Sequence, residues 1–204
     1  MTQQQVPTLD IRRFATDKDN FVAEIGKAYT EFGFCGISGH GISDEVVGET
    51  YKAIKQFFAL PTEVKQQYHV PGQGGARGYT GFGVEKAKDS KHPDLKEFFH
   101  VGRELNGPAQ HECLYPNVWP SEVPEFKAAT YTLYQALENL GCQVLEALAL
   151  FLKQEQKYFA DKVDYGNSIL RPIHYPPIKD TSTQSIRAGQ HEDNETTQLQ
   201  PSTT

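Results

Sequence analysis

From about Glu125 to Lys153 one apolar stripe recurs at helical spacing, with Phe126, Leu133, Leu137, Leu140, Val144, Leu148 and Phe151 on a single face. Gly141 interrupts the stripe and is expected to mark a bend. A helix of that length with one apolar side has to be covered by another layer. The flanking stretches supply candidates. Between Asp17 and Phe32 the positions Phe21, Ile25, Ala28, Tyr29 and Phe32 repeat the helical period, and Gly33 is a stop. Ser43 reads as an N-cap, with Asp44 and Glu45 in a first turn whose dipole favours them. That helix continues through Val46, Val47, Ile54, Phe57 and Phe58, and Pro61 opens a further short one.

Strand signals are shorter. Val6 to Asp10 reads as extended, and Phe34 to Ser38 is an apolar run suited to a buried strand before the Gly39-His40-Gly41 turn. Lys96 to Val101 resumes strand character, Asn167 to His174 is a strand stopped by Pro176-Pro177, and a last strand covers about Ser185 to Asp193. Residues 71–92 are the least regular, with Gly72, Gly74, Gly75, Gly78, Gly81 and Gly83 close together. Residues 106–124 carry four prolines and Trp119 and read as a surface loop. There is no internal repeat and no sharp linker, so one domain is the better count. Helices first and strands later give an α+β or jelly-roll reading.

Charge narrows the function classes. Against 26 acidic residues the chain has 20 basic ones, a net −6, and they are scattered, which argues against a nucleic-acid surface. The polar start Met1-Thr2-Gln3-Gln4-Gln5 lacks a signal-peptide layout, and the apolar stretch Leu145 to Leu152 is too short to span a bilayer. Cys35, Cys113 and Cys142 are odd in number and far apart, as expected of reduced thiols in a cytoplasmic protein.

The last predicted strand carries Gly189-Gln190-His191-Glu192-Asp193. Strand side chains alternate faces, so His191 and Asp193 point the same way and Glu192 points away. An imidazole nitrogen beside a carboxylate oxygen is two thirds of a 2-His-1-carboxylate metal triad. Taken alone, such a pair is also the pattern of an ordinary surface pair. On the preceding strand the same alternation groups Arg171, Ile173 and Tyr175, leaving His174 on the opposite face. Arg171 then either pairs with a bound carboxylate or makes a surface ion pair, and Tyr175 either donates its hydroxyl to a ligand or packs.

Several stretches occur in the order of a known family. Val6-Pro7-Thr8-Leu9-Asp10, then Gly33-Phe34-Cys35-Gly36-Ile37-Ser38-Gly39-His40-Gly41-Ile42, Gly78-Tyr79 with Glu85, Lys96-Glu97-Phe98-Phe99, and Ile169 to Pro177 followed by His191-Glu192-Asp193 are its landmarks. Over residues 6–193 the chain resembles the isopenicillin N synthase-like Fe(II)/2-oxoglutarate-dependent oxygenases. The resemblance implies α+β architecture with N-terminal helices packed on a double-stranded β-helix, or jelly roll, here incomplete. Residues 1–165 would be the helical region with early sheet strands, and 166–204 the start of the jelly roll. It implies Fe(II) held by His191 and Asp193, 2-oxoglutarate as cosubstrate, and O2 and a small molecule as the reactants. No catalytic residue is expected beyond the metal ligands. Arg171 and Tyr175 would face the pocket, and Tyr79 and Glu85 would touch substrate from a loop over its entrance.

Past Asp193 the resemblance ends. Residues 194–204 hold one apolar side chain, Leu199, and the family's distal histidine and Arg-x-Ser segment have no counterpart, the expectation for a truncated or altered C-terminus. Neither His100 nor His111 has spacing that favours it as the third ligand. The glycine-rich stretch lacks the Lys-Ser/Thr ending of a phosphate-binding loop. The leading expectation is an oxidoreductase performing hydroxylation, desaturation, ring closure or ethylene formation while 2-oxoglutarate becomes succinate. The rival is a catalytically inactive fragment with at most weak metal binding, and a zinc hydrolase lacks a nearby third ligand or general base.

Overall fold

A computed structural model describes residues 5–84, 94–104, 115–164, 166–177 and 197–201. These residues form two compact units that interleave along the chain. The expected division at residue 165/166 follows sequence; packing divides the chain otherwise, because the strands after 166 pair with a strand near residue 100.

One unit draws on the described residues of Met1–Ser43, Ala136–Gly166 and Thr197–Thr204. Strand β1 (Thr8–Asp10) pairs in parallel with β2 (Gly36–Ser38), Leu9 against Ile37. Between them lie the short α1 (Arg13–Thr16) and the longer α2 (Lys18–Phe32). Gly33 ends α2 at φ 79°, a left-handed cap in which its N–H bonds the Tyr29 carbonyl at 3.0 Å. Phe21 and Ile25 from α2 pack with Leu9, Ile11 and Phe14 and with Leu140, Val144 and Ala147. The β2 run is less buried than its apolar composition suggested, since Phe34 stands 60% exposed. In the turn that follows, His40 accepts the Ile42 N–H through Nδ1 at 3.1 Å. Leu199, from the segment where the family pattern lapses, packs against this core.

The other unit draws on Asp44–Gln135 and Asn167–Thr196. It contains α3 (Asp44–Phe58), α4 (Thr62–Gln66), β3 (Gly78–Thr80) and β4 (Glu97–Gly102). The long α5 (Phe126–Phe151) is continuous through Gly141, and its first ten residues belong here. After the short α6 (Ala160–Val163) come β5 (Ile169–Leu170) and β6 (Ile173–His174). β4 is central and antiparallel to β3, Tyr79 facing Phe99, and to both late strands, Val101 facing Leu170 and Phe98 facing Ile173. β5 and β6 share one register on β4. They are a single extended segment, as its sequence pattern predicts, divided where Pro172 has no N–H to give. Pro172 still accepts the Phe99 N–H at 3.0 Å.

β3 escaped the sequence reading because it begins on a glycine inside the irregular stretch. Gly78 adopts φ 74°, and a Cβ there would meet the Tyr68 carbonyl at 2.3 Å. Gly78→Ala is expected to cost at least the 1–3 kcal/mol, roughly, of a forced left-handed residue, read as a lowered urea midpoint. An unchanged midpoint would show that the loop re-routes freely.

Candidate functional site

The register of the β3-β4-β5/β6 sheet sorts its side chains onto two faces. Opposed residues in an antiparallel pair share a face, and neighbours along a strand alternate. One face therefore holds Thr80, Phe98, His100, Ile169, Arg171 and Ile173. Continuing the shared register sets Arg171 across from His100. The Arg171 guanidinium lies over the Phe98 ring, 4.1 Å from its centroid, and the His100 ring lies tilted against Phe98 at 4.7 Å. His100 donates from Nδ1 to the Gly75 carbonyl at 2.6 Å, which pins the glycine-rich stretch to this face. Phe98 and His100 are buried, whereas Ile169 and Ile173 are 41% and 42% exposed. This is an aromatic platform carrying one stacked cation, with apolar residues at its edges.

The opposite face carries a buried ionic cluster. Glu97, 1% exposed, accepts from Lys65 Nζ at 2.7 Å, from the Tyr79 hydroxyl at 2.5 Å and from His174 Nδ1 at 2.7 Å. Lys65 also bonds the Phe58 carbonyl at 3.2 Å, and the His174 ring stacks on Phe58 at 5.2 Å. Burial works to raise the Glu97 carboxyl, but donors from Lys65, Tyr79 and His174 outweigh it and hold it below the ordinary glutamate range. The Tyr79 phenol moves up, first from burial and then because Glu97 prefers it as a donor.

These two faces separate residues that sequence grouped together. Arg171 and Ile173 share a face as alternation predicts, and His174 takes the other. Tyr175 follows β6 directly and is half-buried. Tyr79 is not brought to Arg171. Pairing with Phe99 turns it into the core, 1% exposed, with its hydroxyl committed to Glu97. His191, Asp193 and Glu85 lie outside the described residues. Among the described residues no three His, Cys, Asp or Glu side chains gather to hold a metal. Sequence reasoning missed Lys65 and Glu97 as a pair. The available signal was a carboxylate inside the strand run Lys96-Glu97-Phe98-Phe99, where an unpaired charge would be costly.

Comparison with known proteins adds an independent line. The family described as non-haem dioxygenase in morphine synthesis, N-terminal, matches residues 6–122. The 2-oxoglutarate-dependent dioxygenase caaD of Aspergillus niger is 32% identical over 200 residues, covering 95% of this chain and 62% of that protein. A 1-aminocyclopropane-1-carboxylate oxidase of Dictyostelium discoideum is 32% identical over 183 residues, 85% of this chain and 50% of its own length. Among solved structures, a 2OG-Fe(II) oxygenase family protein from Caulobacter crescentus superposes with TM-score 0.77 at 41% identity, covering 92% of this chain and 60% of that one. A full-length Neurospora crassa protein, solved in complex with alpha-KG, gives TM-score 0.77 at 28% identity, with 92% and 61% covered. The chain thus spans about three fifths or less of these relatives.

Proposed function

We propose, from the premise that this chain belongs to the non-haem dioxygenase family, that it serves the Fe(II)- and 2-oxoglutarate-dependent oxidation of a small molecule. The observation that carries the reading is the sheet face on which Arg171 stacks over Phe98, on the strand that precedes the His191-x-Asp193 pair. An imidazole and a carboxylate two residues apart are a donor set suited to Fe(II), so His191 and Asp193 would hold it. When bound, the metal and 2-oxoglutarate supply O2-dependent oxidation, with the cosubstrate leaving as succinate and CO2. The chain's own residues bind and orient. Arg171, its guanidinium held over the Phe98 ring, offers paired N–H donors to a carboxylate. Tyr175 offers a hydroxyl from the same segment, and Ile169 and Ile173 keep water from the apolar part of a ligand. Glu85 stays in this proposal as a substrate contact, and Tyr79 leaves it because its hydroxyl is spent on Glu97.

The relatives act on different substrates, as their names state: proline in one hydroxylase, 1-aminocyclopropane-1-carboxylate in an oxidase. Hydroxylation, desaturation, ring closure and ethylene formation all stay within this proposal. No nucleic acid and no membrane enters it, and no helix among the described residues is long and apolar enough to cross a bilayer. Neither Cys35 nor Cys142 is in a disulfide, which fits a cytoplasmic setting.

Anaerobic titration with Fe(II) and 2-oxoglutarate tests the reading. A metal-to-ligand charge-transfer band is expected in the parent protein and its loss in His191→Ala. No band and no succinate would leave the rival, a catalytically inactive protein with at most weak metal binding.

A further inference from the structure

The ligand-facing segment Arg171–Tyr175 is a short stretch of strand broken by proline. β6 is two residues long, Pro172 gives no N–H to the ladder, and Pro176-Pro177 follows at once. Ile173 is 42% exposed, so apolar burial does not fix the segment on that side either. Beside its ladder bonds to β4 and the Arg171–Phe98 stack, one side chain on the other face anchors it. The His174 imidazole is clamped edge-on by Glu97 at 2.7 Å and face-on by Phe58 at 5.2 Å. Glu97 is itself immobilised by Lys65 from α4 and Tyr79 from β3.

A buried ion pair of this kind is weak evidence for stability, because packed apolar residues of similar volume often do as well. A directional anchor is something apolar packing does not provide. Ring orientation fixed through Nδ1 is how a histidine transmits order to neighbouring residues. We infer that Glu97 and His174 are positioning residues: the Lys65–Glu97–His174 array on one face of the sheet sets the strand that presents Arg171 and Tyr175 on the other. This rests on the reading of Arg171 and Tyr175 as ligand-binding residues, and it assigns a task to buried groups that the oxidation itself does not use.

His174 is the residue to change, since it is 38% exposed at its side chain and tolerates truncation better than Glu97. Two measurements on the full chain separate the anchor from the ligand site. The first is amide hydrogen exchange of the metal-free protein. His174→Ala is expected to speed exchange through residues 171–175 about tenfold or more while α3 keeps its protection, and an unchanged rate there overturns the proposal whatever the site binds. The second is the affinity for 2-oxoglutarate of the Fe(II)-loaded, oxygen-free protein, in His174→Ala, Tyr175→Phe and the double variant. A loss of about 10-fold to 100-fold in His174→Ala is expected, with the double variant no weaker than the worse single one. Additive losses, or an affinity that His174→Ala leaves unchanged, would overturn the positioning role. If the parent protein binds no 2-oxoglutarate while exchange still speeds up, the reading of the ligand site fails and the anchor stands.

Discussion

Lys65→Met is expected to lower the unfolding free energy by about 3–5 kcal/mol, the cost of leaving a buried charge without its partner. Lys65 Nζ lies 3.0 and 2.7 Å from the two Glu97 oxygens, and both side chains are almost wholly buried. The dependence on pH gives the loss its signature. In the parent protein the Glu97 carboxyl lies below its ordinary value. A depressed folded value contributes stability above the unfolded pKa, about 4.3, and loses it as pH falls through the folded value. Without Lys65 the strongest downward influence is gone, leaving burial opposed only by the Tyr79 and His174 donors. The variant's Glu97 then favours the ionised form in the fold less than the parent's does. The stability gap between parent and variant should therefore narrow as the pH is lowered from 7 toward 4. Urea denaturation across that range reads it directly, and a gap independent of pH would mean that the loss is packing rather than charge. Adding Glu97→Gln to Lys65→Met should recover part of the stability, because the orphaned charge goes with it.

How much of this was legible in the sequence depends on the range of the determining contact. α2, α3 and α5 follow from the 3.6-residue recurrence of residues such as Phe21, Ile25 and Phe57, with Gly33 and Pro61 as punctuation; these are local signals. The split of Ile169 to His174 into β5 and β6 follows from Pro172, also local. Tyr79 could not be placed that way. Its neighbours Gly78 and Gly81 read as loop, and only pairing with Phe99, twenty residues on, turns it inward. The Glu97 cluster is less legible still. Its partners stand 18, 32 and 77 residues away, and no periodicity links them. Alternation along a strand did group Arg171 with Ile173 and set His174 apart, because a period of two is intrinsic to the extended chain.

Phe57→Ala should be of comparable size, about 3–5 kcal/mol, by a different mechanism. Phe57 has no exposed surface, and its ring centroid lies 5.0 Å from Phe99, 5.4 Å from Phe126, 5.5 Å from Phe58, 5.9 Å from Tyr79 and 6.1 Å from Tyr68. Those rings come from α3, β3, β4, α5 and the segment after α4. Truncation removes edge-to-face contacts worth about 0.5–1.5 kcal/mol each and leaves a cavity whose walls are planar rings on separate elements. Such walls collapse poorly, which puts the cost at the upper end of the range. Phe57→Leu, which fills much of the space without the ring, should lose distinctly less. Phe34→Ala, at a side chain 60% exposed, should stay within about 0.5 kcal/mol. Unlike Lys65→Met, the Phe57→Ala variant should keep its full deficit from pH 7 to pH 4, since no titrating group is orphaned. Chemical denaturation of the three phenylalanine variants beside Lys65→Met thus separates aromatic packing from buried charge. Equal losses at Phe57 and Phe34 would contradict the assignment of Phe57 as the centre of this core.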